Sequence, residues 1–339
     1  MHLWVMKALI LKKYDTPFVL EETAKPVAGP GEVLVAVKAS AVNPLDLKIK
    51  AGKAGHAEPR LPAILGIDMA GIVEAVGEGV SGFSAGDEVY GMTGGIAGIP
   101  GSLAEYQAVD ARLLALKPRA LSFREAAAMP LGFITAWEGL VDRAQVGPGK
   151  TVLVHGGAGG VGHLAVQLAV AKGAAVYTTV RPERASLIES YGAVPIDYTS
   201  LSAAGYMQQY TQGRGFDIVF DTLGGETLNA SFSLVKRYTG HVVSILGWGT
   251  HALAPLSFRG ATYSGVFTLY PLISGEGREH HGHILREAAA LVTAGRLRPL
   301  VDSTGYRLTS VEAAYSAQEE GKAAGKIVID VASIFDSFT

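Results

Sequence analysis

The stretch TVLVHGGAGGVGHLAVQLAVAKGAAVYTTVRPER, residues 151–184, contains a short apolar strand, a glycine-rich turn, a helical segment and a second strand. Its Gly157, Gly159 and Gly162 have the spacing G-x-G-x-x-G, which carries little weight alone in a chain with 43 glycines. Because the pattern follows a strand and opens a helix, it indicates a loop that binds the pyrophosphate of a dinucleotide.

Each glycine of this loop has an expected task. The first would permit the tight turn, the second would admit the pyrophosphate, and the third would let the helix pack closely on the strand. The alternative is an ordinary strand-to-helix turn without a ligand. The residues predicted to present their backbone to the anion are Gly157, Ala158, Gly159, Gly160, Val161 and Gly162.

The end of the second strand decides which dinucleotide fits this loop. An NAD site places Asp or Glu about twenty residues after the loop, where it binds the ribose 2′-hydroxyl. Here the strand ends at Thr179 and Val180 without an acid, and Arg181 and Arg184 follow. Since arginine forks match a 2′-phosphate, the segment predicts NADP(H) as the cofactor; the alternative is that both arginines are solvated residues at a helix start.

Strand-like and helical segments alternate from about residue 123 onward. The predicted strands are 151–155, 175–180, 194–197, 218–221, 241–246 and 261–266, and the helices between them are 161–172, 183–191, 201–211 and 226–237. This alternation predicts an α/β fold with a parallel, doubly wound sheet. The first 120 or so residues instead alternate short β-like runs with glycine turns, beginning in MHLWVMKALILKK, which predicts a small rolled β domain. A helix near 284–294 and a last strand in GKIVIDV are expected to return to that domain.

Composition excludes several classes of protein. The chain has 339 residues, enough for two domains, and a net charge of −2 without a basic run, so a nucleic-acid partner is not expected. No apolar run is long enough for a bilayer, and the amino-terminal segment lacks the features of a signal peptide. There is no cysteine, which excludes disulfides and thiolate-bound zinc. A cytoplasmic protein is expected.

Six motifs occur in order along the chain: AVNPLDLKIKAG, PAILGIDMAGIVEAVGEGVSGFSAGDEVYG, GSLAEY, AAAMPLGFITAW, VGPGKTVLVHGGAGGVG and GKIVIDV. In this order they resemble the medium-chain dehydrogenase/reductase superfamily, specifically its zinc-free quinone oxidoreductase (zeta-crystallin-like) branch. The resemblance extends over nearly the whole chain. It implies a GroES-like β-barrel domain formed by residues 1–122 and 268–339, with a Rossmann domain for NADP(H), residues 123–267, inserted between them.

The resemblance also locates the positions that bind zinc in alcohol dehydrogenases of this superfamily. Ile67, in Gly66-Ile67-Asp68, stands where those enzymes have a liganding histidine, and the Asn43 region stands where they have a cysteine. The four-cysteine lobe for structural zinc is missing as well. Because a catalytic zinc needs three protein ligands, we predict no metal. The cluster EHHGH, residues 279–283, is predicted to be an exposed loop leading into a helix rather than a metal site.

Family correspondence assigns further roles around the cofactor. Asn43 and Thr135 match residues beside the nicotinamide, and Asp46 matches one that braces the Asn43 loop; Asn43 could instead only shape a turn. Lys48 stands where some members have a substrate-facing tyrosine, and it could donate to a developing oxyanion or simply be solvated. The remaining expected contacts are Tyr198 and Arg184 at the 2′-phosphate, Leu246, Gly247, Phe267 and Thr268 at strand ends, and Lys326 near the carboxyl terminus.

These observations predict an NADPH-dependent reductase that transfers hydride to an intrinsically electrophilic acceptor. Without a zinc ion to polarise an alcohol or carbonyl oxygen, the acceptor should be a quinone or an α,β-unsaturated carbonyl. One alternative is an NADPH-binding structural, regulatory or RNA-binding protein with little catalysis. Another is an alcohol dehydrogenase, which the missing zinc ligands disfavour. A homodimer is expected from the family, and the late apolar strand ATYSGVF could be the edge that pairs.

Overall fold

The computed structural model describes residues 4–331. The ends of the predicted first domain, residues 1–3 and 332–339, lie outside the described residues. The described chain divides into two compact units. The first unit comprises residues 4–131, 269–294 and 299–331, and the second comprises 132–268 and 295–298. The domain limits predicted from the sequence, 1–122 with 268–339 and 123–267, stay predictions.

The amino-terminal part of the first unit is mostly β structure, as its alternating pattern predicts. It contains β1 (Val5–Leu11), β2 (Val19–Ala24), β3 (Glu32–Ala41), α1 (Pro44–Lys50), β4 (Ala63–Ile64), β5 (Asp68–Val76), β6 (Glu88–Met92), β7 (Tyr106–Asp110), β8 (Leu114–Leu116) and α2 (Phe123–Ala127). Strands β2, β1 and β4 form a small antiparallel sheet. Strand β3 lies in the middle of a larger, mostly antiparallel sheet, in which it pairs with both β5 and β7.

Helix α2 starts at a capping box, because Ser122 and Glu125 each accept a hydrogen bond from the other's backbone N–H. The helical segment then breaks where Pro130 predicts a break, and α3 (Pro130–Trp137) begins there. A wide π turn, Glu138–Arg143, follows α3 directly.

The second unit contains the predicted parallel sheet. Its elements are β9 (Thr151–His155), α4 (Gly162–Ala171), β10 (Ala175–Val180), α5 (Ala185–Ser190), β11 (Val194–Asp197), α6 (Ala203–Thr211), β12 (Ile218–Asp221), α7 (Gly225–Leu234), β13 (His241–Ser244), α8 (Ala254–Ser257) and β14 (Thr262–Gly265). The strand order is β11-β10-β9-β12-β13-β14, and every neighbouring pair is parallel. The predicted doubly wound α/β fold is therefore confirmed.

The order of these strands reverses between β9 and β12, which are neighbours in the sheet. Ligands of such sheets bind outside the carboxyl ends of the strands at this reversal. Apolar side chains of the strands and helices pack into one core, which includes Leu153, Phe216, Val219, Phe232 and Val242. The core thus fixes the strand ends on which the predicted loop depends.

The carboxyl-terminal part of the chain returns to the first unit. It contains α9 (Tyr270–Ser274), α10 (Arg278–Thr293), β15 (Tyr306–Arg307), α11 (Val311–Glu319) and β16 (Val328–Asp330). Strand β16 pairs antiparallel with β3 and parallel with β15, so the predicted return of GKIVIDV is confirmed. No helix within residues 4–331 has the length and apolarity needed to cross a bilayer.

The predicted loop at EHHGH is wrong. Residues 279–283 lie inside α10, which begins six residues earlier than expected, and His281 is fully buried. The two exposed histidines of the cluster, His280 and His283, are one helical turn apart, and their rings stack with centroids separated by 6.0 Å. Glycine is uncommon inside helices, so Gly282 suggested a loop in the sequence. The packing requires a glycine here, since a Cβ would lie 2.5 Å from the Arg112 carbonyl oxygen.

Candidate functional site

The glycine loop joins β9 to α4 as the sequence predicts, but the tasks of its glycines differ. The left-handed residue of the turn is Gly156, with φ of 77°, rather than Gly157. Gly157 is instead required by a close approach, because a Cβ there would collide with Thr178 on the adjacent strand β10. At Gly162 a Cβ would collide with the carbonyl oxygen of Gly156, so the third glycine does allow close packing of helix and loop.

Hydrogen bonds to strand β10 hold the start of this loop in place. The Gly156 N–H donates to Thr179 Oγ1 at 3.1 Å, and the Gly157 N–H donates to the Thr179 carbonyl oxygen at 3.2 Å. The Thr178 hydroxyl donates to the Val154 carbonyl oxygen at 2.7 Å and joins β10 to β9. Because Thr179 engages the loop through both its side chain and its backbone, it sets the position of the first glycines.

Two predicted recognition residues meet at the carboxyl ends of β10 and β11. Val180 pairs with Asp197 in the sheet, so the residues that follow them, Arg181 and Tyr198, lie side by side. Arg181 Nε donates to the Tyr198 hydroxyl at 3.2 Å, and both side chains are exposed. The Asp197 carboxylate accepts the N–H and hydroxyl of Thr199, at 2.9 and 2.6 Å, and therefore belongs to its own turn.

Arg184 ends the short 3₁₀ turn, Pro182–Arg184, that leads from this edge into α5. It is half-buried. The turn places a second guanidinium in the same basic segment as Arg181, as the sequence predicts.

Polar groups that the sequence reasoning missed lie where the strand order reverses. The Thr222 hydroxyl, just after β12, donates to the His155 carbonyl oxygen at the end of β9, at 2.6 Å. The buried Asp221 carboxylate accepts the Gly224 N–H at 3.0 Å and the Ser244 hydroxyl at 2.8 Å. Burial lowers the pKa of His155 to about 4, although Asp221 raises it. The sequence does carry a signal for these polar residues, since each of them ends or directly follows an apolar strand of the predicted sheet.

Of the residues predicted at the ends of β13 and β14, two are joined by hydrogen bonds to the body of the second unit. The Leu246 N–H donates to Ser244 Oγ at 3.1 Å, and Thr268 Oγ1 lies 3.1 Å from Thr135 Oγ1. The Thr268 hydroxyl also donates to Glu138 Oε2 at 2.9 Å. Gly247 and Phe267 are exposed at these strand ends.

Asn43 is the centre of a buried polar cluster in the first unit. Its side-chain Nδ2 donates to Asp68 Oδ2 at 3.0 Å, and its Oδ1 accepts from Lys326 Nζ. Its backbone N–H donates to Asp46 Oδ2 at 2.8 Å, which caps the start of α1. The predicted bracing of the Asn43 loop by Asp46 thus has a direct hydrogen bond.

The two carboxyl groups of this cluster share one lysine. Asp68 Oδ2 lies 4.0 Å from Lys326 Nζ, while Asp68 Oδ1 accepts the Leu131 N–H at 2.8 Å. Burial raises the pKa of Asp46 to about 7 and that of Asp68 to about 6, and it lowers the pKa of Lys326. Asp46 Oδ1 is buried and has no hydrogen-bond partner among the described residues.

Lys48 lies on α1 but outside this cluster. It is exposed, whereas Asp46 and Ile49 on the same helix are buried. The pKa of the nearby His56 is lowered mainly by the partial burial of that histidine, and the positive charge of Lys48 lowers it further. The sequence placed Lys48 beside Asp46 along the chain, and the structure places their side chains in different environments.

Two family models match the chain. Residues 29–119 match the alcohol dehydrogenase GroES-like domain, and residues 191–329 match a zinc-binding dehydrogenase model. The chain is 37% identical to 2-methylene-furan-3-one reductase of Solanum lycopersicum and 35% identical to the chloroplastic NADPH-dependent alkenal/one oxidoreductase of Arabidopsis thaliana. Each match covers 96% of this chain and 79% of the relative. The chain belongs to the medium-chain dehydrogenase/reductase superfamily.

A solved structure of the same superfamily has a very similar fold. It is an alcohol dehydrogenase superfamily protein from Novosphingobium aromaticivorans, 53% identical, with a TM-score of 0.94. The match covers 96% of this chain and 100% of that one. The predicted GroES-like and Rossmann parts of the fold are confirmed by this agreement together with the domain match.

The residues of the present chain do not fit a zinc ion. Ile67, at the position predicted for a liganding histidine, is an apolar side chain that is fully buried directly before β5. Within residues 4–331, no three His, Asp or Glu side chains are grouped so that they could hold a metal ion. The donor set therefore disagrees with the description of the carboxyl-terminal family model, and metal independence stays a prediction that a metal assay decides.

Proposed function

We propose that this chain is an NADPH-dependent, metal-independent reductase of α,β-unsaturated carbonyl compounds, with quinones as a second class of acceptor. The observation that carries the cofactor assignment is the Arg181–Tyr198 pair. It occupies the carboxyl edge of β10 and β11, where an NAD site would have an acid that binds the 2′-hydroxyl. The acceptor class is supported by the two relatives that are named as reductases of a methylene-furanone and of alkenals and alkenones.

In this proposal the second unit binds the cofactor through its backbone and its basic edge. Thr179 holds the loop 157–162, whose Gly157 and Gly159 N–H groups donate to the carbonyl oxygens of Thr179 and Gly156, and the remaining N–H groups of the loop are proposed to bind the pyrophosphate. Arg181, Arg184 and Tyr198 bind the 2′-phosphate. Further contacts are proposed for Thr135, Leu246, Gly247, Phe267 and Thr268, and in the first unit for Asn43 and Lys326.

When bound, the nicotinamide supplies the hydride. The protein's own task is then to stabilise the negative charge that develops on the acceptor oxygen, which requires preorganised hydrogen-bond donors. Lys48 is the proposed donor to that oxygen, because it is exposed on α1 and can donate without losing a partner in the buried cluster. Asp46 is proposed to act indirectly, by bracing Asn43 at the start of the same helix.

The test is NADPH and NADH oxidation by the purified protein with a panel of enals, enones and 1,2- and 1,4-quinones. We expect turnover with NADPH and enones, and Arg181→Ala should raise KM for NADPH roughly 10- to 100-fold while leaving KM for NADH unchanged. Arg119→Ala removes an exposed arginine of the first unit and should change neither. An equal rise for both cofactors would refute the 2′-phosphate assignment. Tight NADPH binding without turnover of any acceptor would favour a non-catalytic binding protein.

The oligomeric state is a separate part of the proposal. Strand β14 is an edge of the parallel sheet, and Thr262, Tyr263 and Gly265 are exposed on it. We propose that two chains associate as a homodimer at this edge, since an exposed edge strand offers unpaired backbone groups. Analytical ultracentrifugation showing only monomers at micromolar concentration would contradict this.

A further inference from the structure

Four polar side chains lie side by side across the carboxyl ends of the central strands of the parallel sheet. Sheet pairing joins His155 to Thr179 on one side and to Asp221 on the other, and Asp221 pairs in turn with Ser244. Because paired residues of neighbouring strands point to the same face, the four side chains form one row. All four are buried. Interior strands of a parallel sheet are normally apolar, so packing alone does not account for a continuous polar row.

One end of the row holds the start of the glycine loop. Thr179 Oγ1 accepts the Gly156 N–H at 3.1 Å and lies 3.4 Å from His155 Nδ1. The Thr179 carbonyl oxygen accepts the Gly157 N–H at 3.2 Å. This end therefore supports the loop that is proposed to bind the pyrophosphate.

The other end of the row holds the two turns that follow β12 and β13. The Asp221 carboxylate accepts the N–H groups of Leu223 and Gly224, at 3.1 and 3.0 Å. It also accepts the Ser244 hydroxyl at 2.8 Å, and Ser244 Oγ accepts the Leu246 N–H at 3.1 Å. Since a carboxylate can only accept, the Ser244 hydrogen points to Asp221 and the Ser244 oxygen is left to hold Leu246.

Close packing also confines the turn after β13. A Cβ on Gly224 would lie 2.5 Å from the Leu246 carbonyl oxygen, so the two turns are in contact. A Cβ on Gly247 would lie 2.3 Å from the Tyr263 hydroxyl oxygen. The backbone of Leu246 and Gly247 is therefore fixed by Asp221 through Ser244 and by contacts with its neighbours.

The order of the strands divides the proposed cofactor between the two ends of the row. Arg181 and Tyr198, after β10 and β11, are proposed to bind the 2′-phosphate of the adenosine half. The glycine loop, which is proposed to bind the pyrophosphate, follows β9, the next strand of the sheet. A dinucleotide that continues in this direction reaches the ends of β12 and β13 with its nicotinamide half.

We propose that Asp221 and Ser244 are positioning residues for the nicotinamide half of the cofactor, because they hold the Leu246–Gly247 backbone that this half contacts. The inference rests on the proposed function, since it takes NADPH to bind across the ends of these strands. Thr179, at the opposite end of the row, serves the pyrophosphate instead. The two ends of the row therefore support different parts of one ligand, and their effects on binding can be separated.

The experiment compares the binding of NADPH with that of 2′,5′-ADP, which has the 2′-phosphate and one phosphate of the pyrophosphate but no nicotinamide. Ser244→Ala removes the hydroxyl that joins Leu246 to Asp221. It should raise Kd for NADPH about three- to tenfold, the worth of one hydrogen bond, and leave Kd for 2′,5′-ADP unchanged. Thr179→Val removes the acceptor of the Gly156 N–H, and it should raise both dissociation constants by a similar factor.

Asp221→Asn tests the carboxylate itself. Its amide oxygen still accepts from Leu223 and Gly224, but its amide nitrogen faces Ser244 and cannot accept the hydroxyl hydrogen. The Kd for NADPH should therefore rise relative to that for 2′,5′-ADP, as in Ser244→Ala. Ser231→Ala is the matched control, because Ser231 is a fully buried serine of the same unit whose hydroxyl donates to the Thr227 carbonyl oxygen within α7. It should change neither dissociation constant.

A purely structural role of Ser244 would raise both dissociation constants together in Ser244→Ala, which would overturn the inference. If wild-type protein binds neither 2′,5′-ADP nor NADPH, the proposed function fails and the inference falls with it. If it binds both, and Ser244→Ala keeps the wild-type ratio of the two constants, only the inference fails.

Discussion

Replacing Asp46 by asparagine tests the electrostatics of the buried cluster in the first unit. Asp46 Oδ2 accepts the Asn43 N–H at 2.8 Å, while Asp46 Oδ1 is buried without a hydrogen-bond partner among the described residues. The pKa of this carboxyl is raised to about 7, chiefly by burial and also by the neighbouring Asp68, against the lowering effects of the Asn43 hydrogen bond and of Lys326. An asparagine keeps the acceptor for Asn43 and cannot ionise, so it resembles the protonated form of Asp46.

The sign of the effect follows from the direction of the shift. Because the folded-state pKa is above the ordinary value of 3.8, the folded protein binds more protons than the unfolded chain between about pH 4 and pH 7. The free energy of unfolding therefore falls as the pH rises through that window. A shift of about three pKa units is worth about 4 kcal/mol, of which about 3 kcal/mol is lost between pH 5 and pH 8. The Asp46→Asn variant lacks this loss.

Urea unfolding followed by circular dichroism at pH 5 and pH 8 measures the effect. The stability of Asp46→Asn relative to wild type should rise by about 3 kcal/mol from pH 5 to pH 8, whatever constant cost the buried amide adds. Asp15→Asn replaces an exposed aspartate and should show no such change between the two pH values. A relative stability that is the same at both pH values would refute the raised pKa of Asp46 and the reasoning from burial.

Three further predictions concern the loop, the proposed donor and the metal. Gly157→Ala should lower the free energy of unfolding by about 1–3 kcal/mol, because its Cβ would collide with Thr178, whereas Gly160→Ala meets no atom within 4 Å and should have little effect in the same urea titration. Lys48→Met should lower kcat for enones on the order of 100-fold if Lys48 donates to the acceptor oxygen. An unchanged kcat would show that Lys48 is a solvated residue without a role in the reaction. Dialysis against a chelator should leave turnover unchanged, and activity lost and then restored by zinc would contradict metal independence.

The sequence predicted the interior strands of the parallel sheet closely because their surroundings are simple. The observed limits of the interior strands β9, β10 and β12 are those predicted, since such strands are covered on both faces and read as short apolar runs between polar or glycine residues, and the limits of the edge strand β11 also agree with the prediction. The predicted strand at 241–246 was two residues too long, because apolar residues continue past Ser244, where the pairing with β12 ends. Apolar runs locate a buried strand, but hydrogen bonding decides where it stops.

Glycine misled the sequence reasoning in one place and was misassigned in another. In α10 a glycine inside EHHGH suggested a loop, although Gly282 is there to let the helix approach Arg112. In the phosphate-binding loop the motif was found correctly, but the turn uses Gly156, and Gly157 is needed for space beside Thr178. A glycine in a sequence does not reveal whether it serves backbone conformation or close packing, because both demand the missing side chain.

The candidate site was predicted best where its residues are close in sequence or match a family motif. Glu138 and Asp68 were not assigned roles, because their partners lie far away along the chain: Thr268 is 130 residues from Glu138, and Asn43 is 25 residues from Asp68. An acid within a buried apolar strand such as β5 is a signal that could have been used, since a charge is rarely buried without a partner. No comparable pattern marks Glu138, which begins the π turn and accepts its hydrogen bond from a residue that is distant in sequence.

The orientation of the Asn43 side chain follows from the hydrogen-bonding capacity of its charged neighbours. The Asn43 side chain is neutral and could present either a donor or an acceptor in a given direction, and it is held by ionisable side chains that each have one hydrogen-bonding sense. Lys326 can only donate, so it turns the Asn43 oxygen towards itself, and Asp68 accepts from the Asn43 nitrogen. The proposed metal-independent reductase would gain from such fixed polarity, because dipoles that are already aligned need no reorganisation during the reaction.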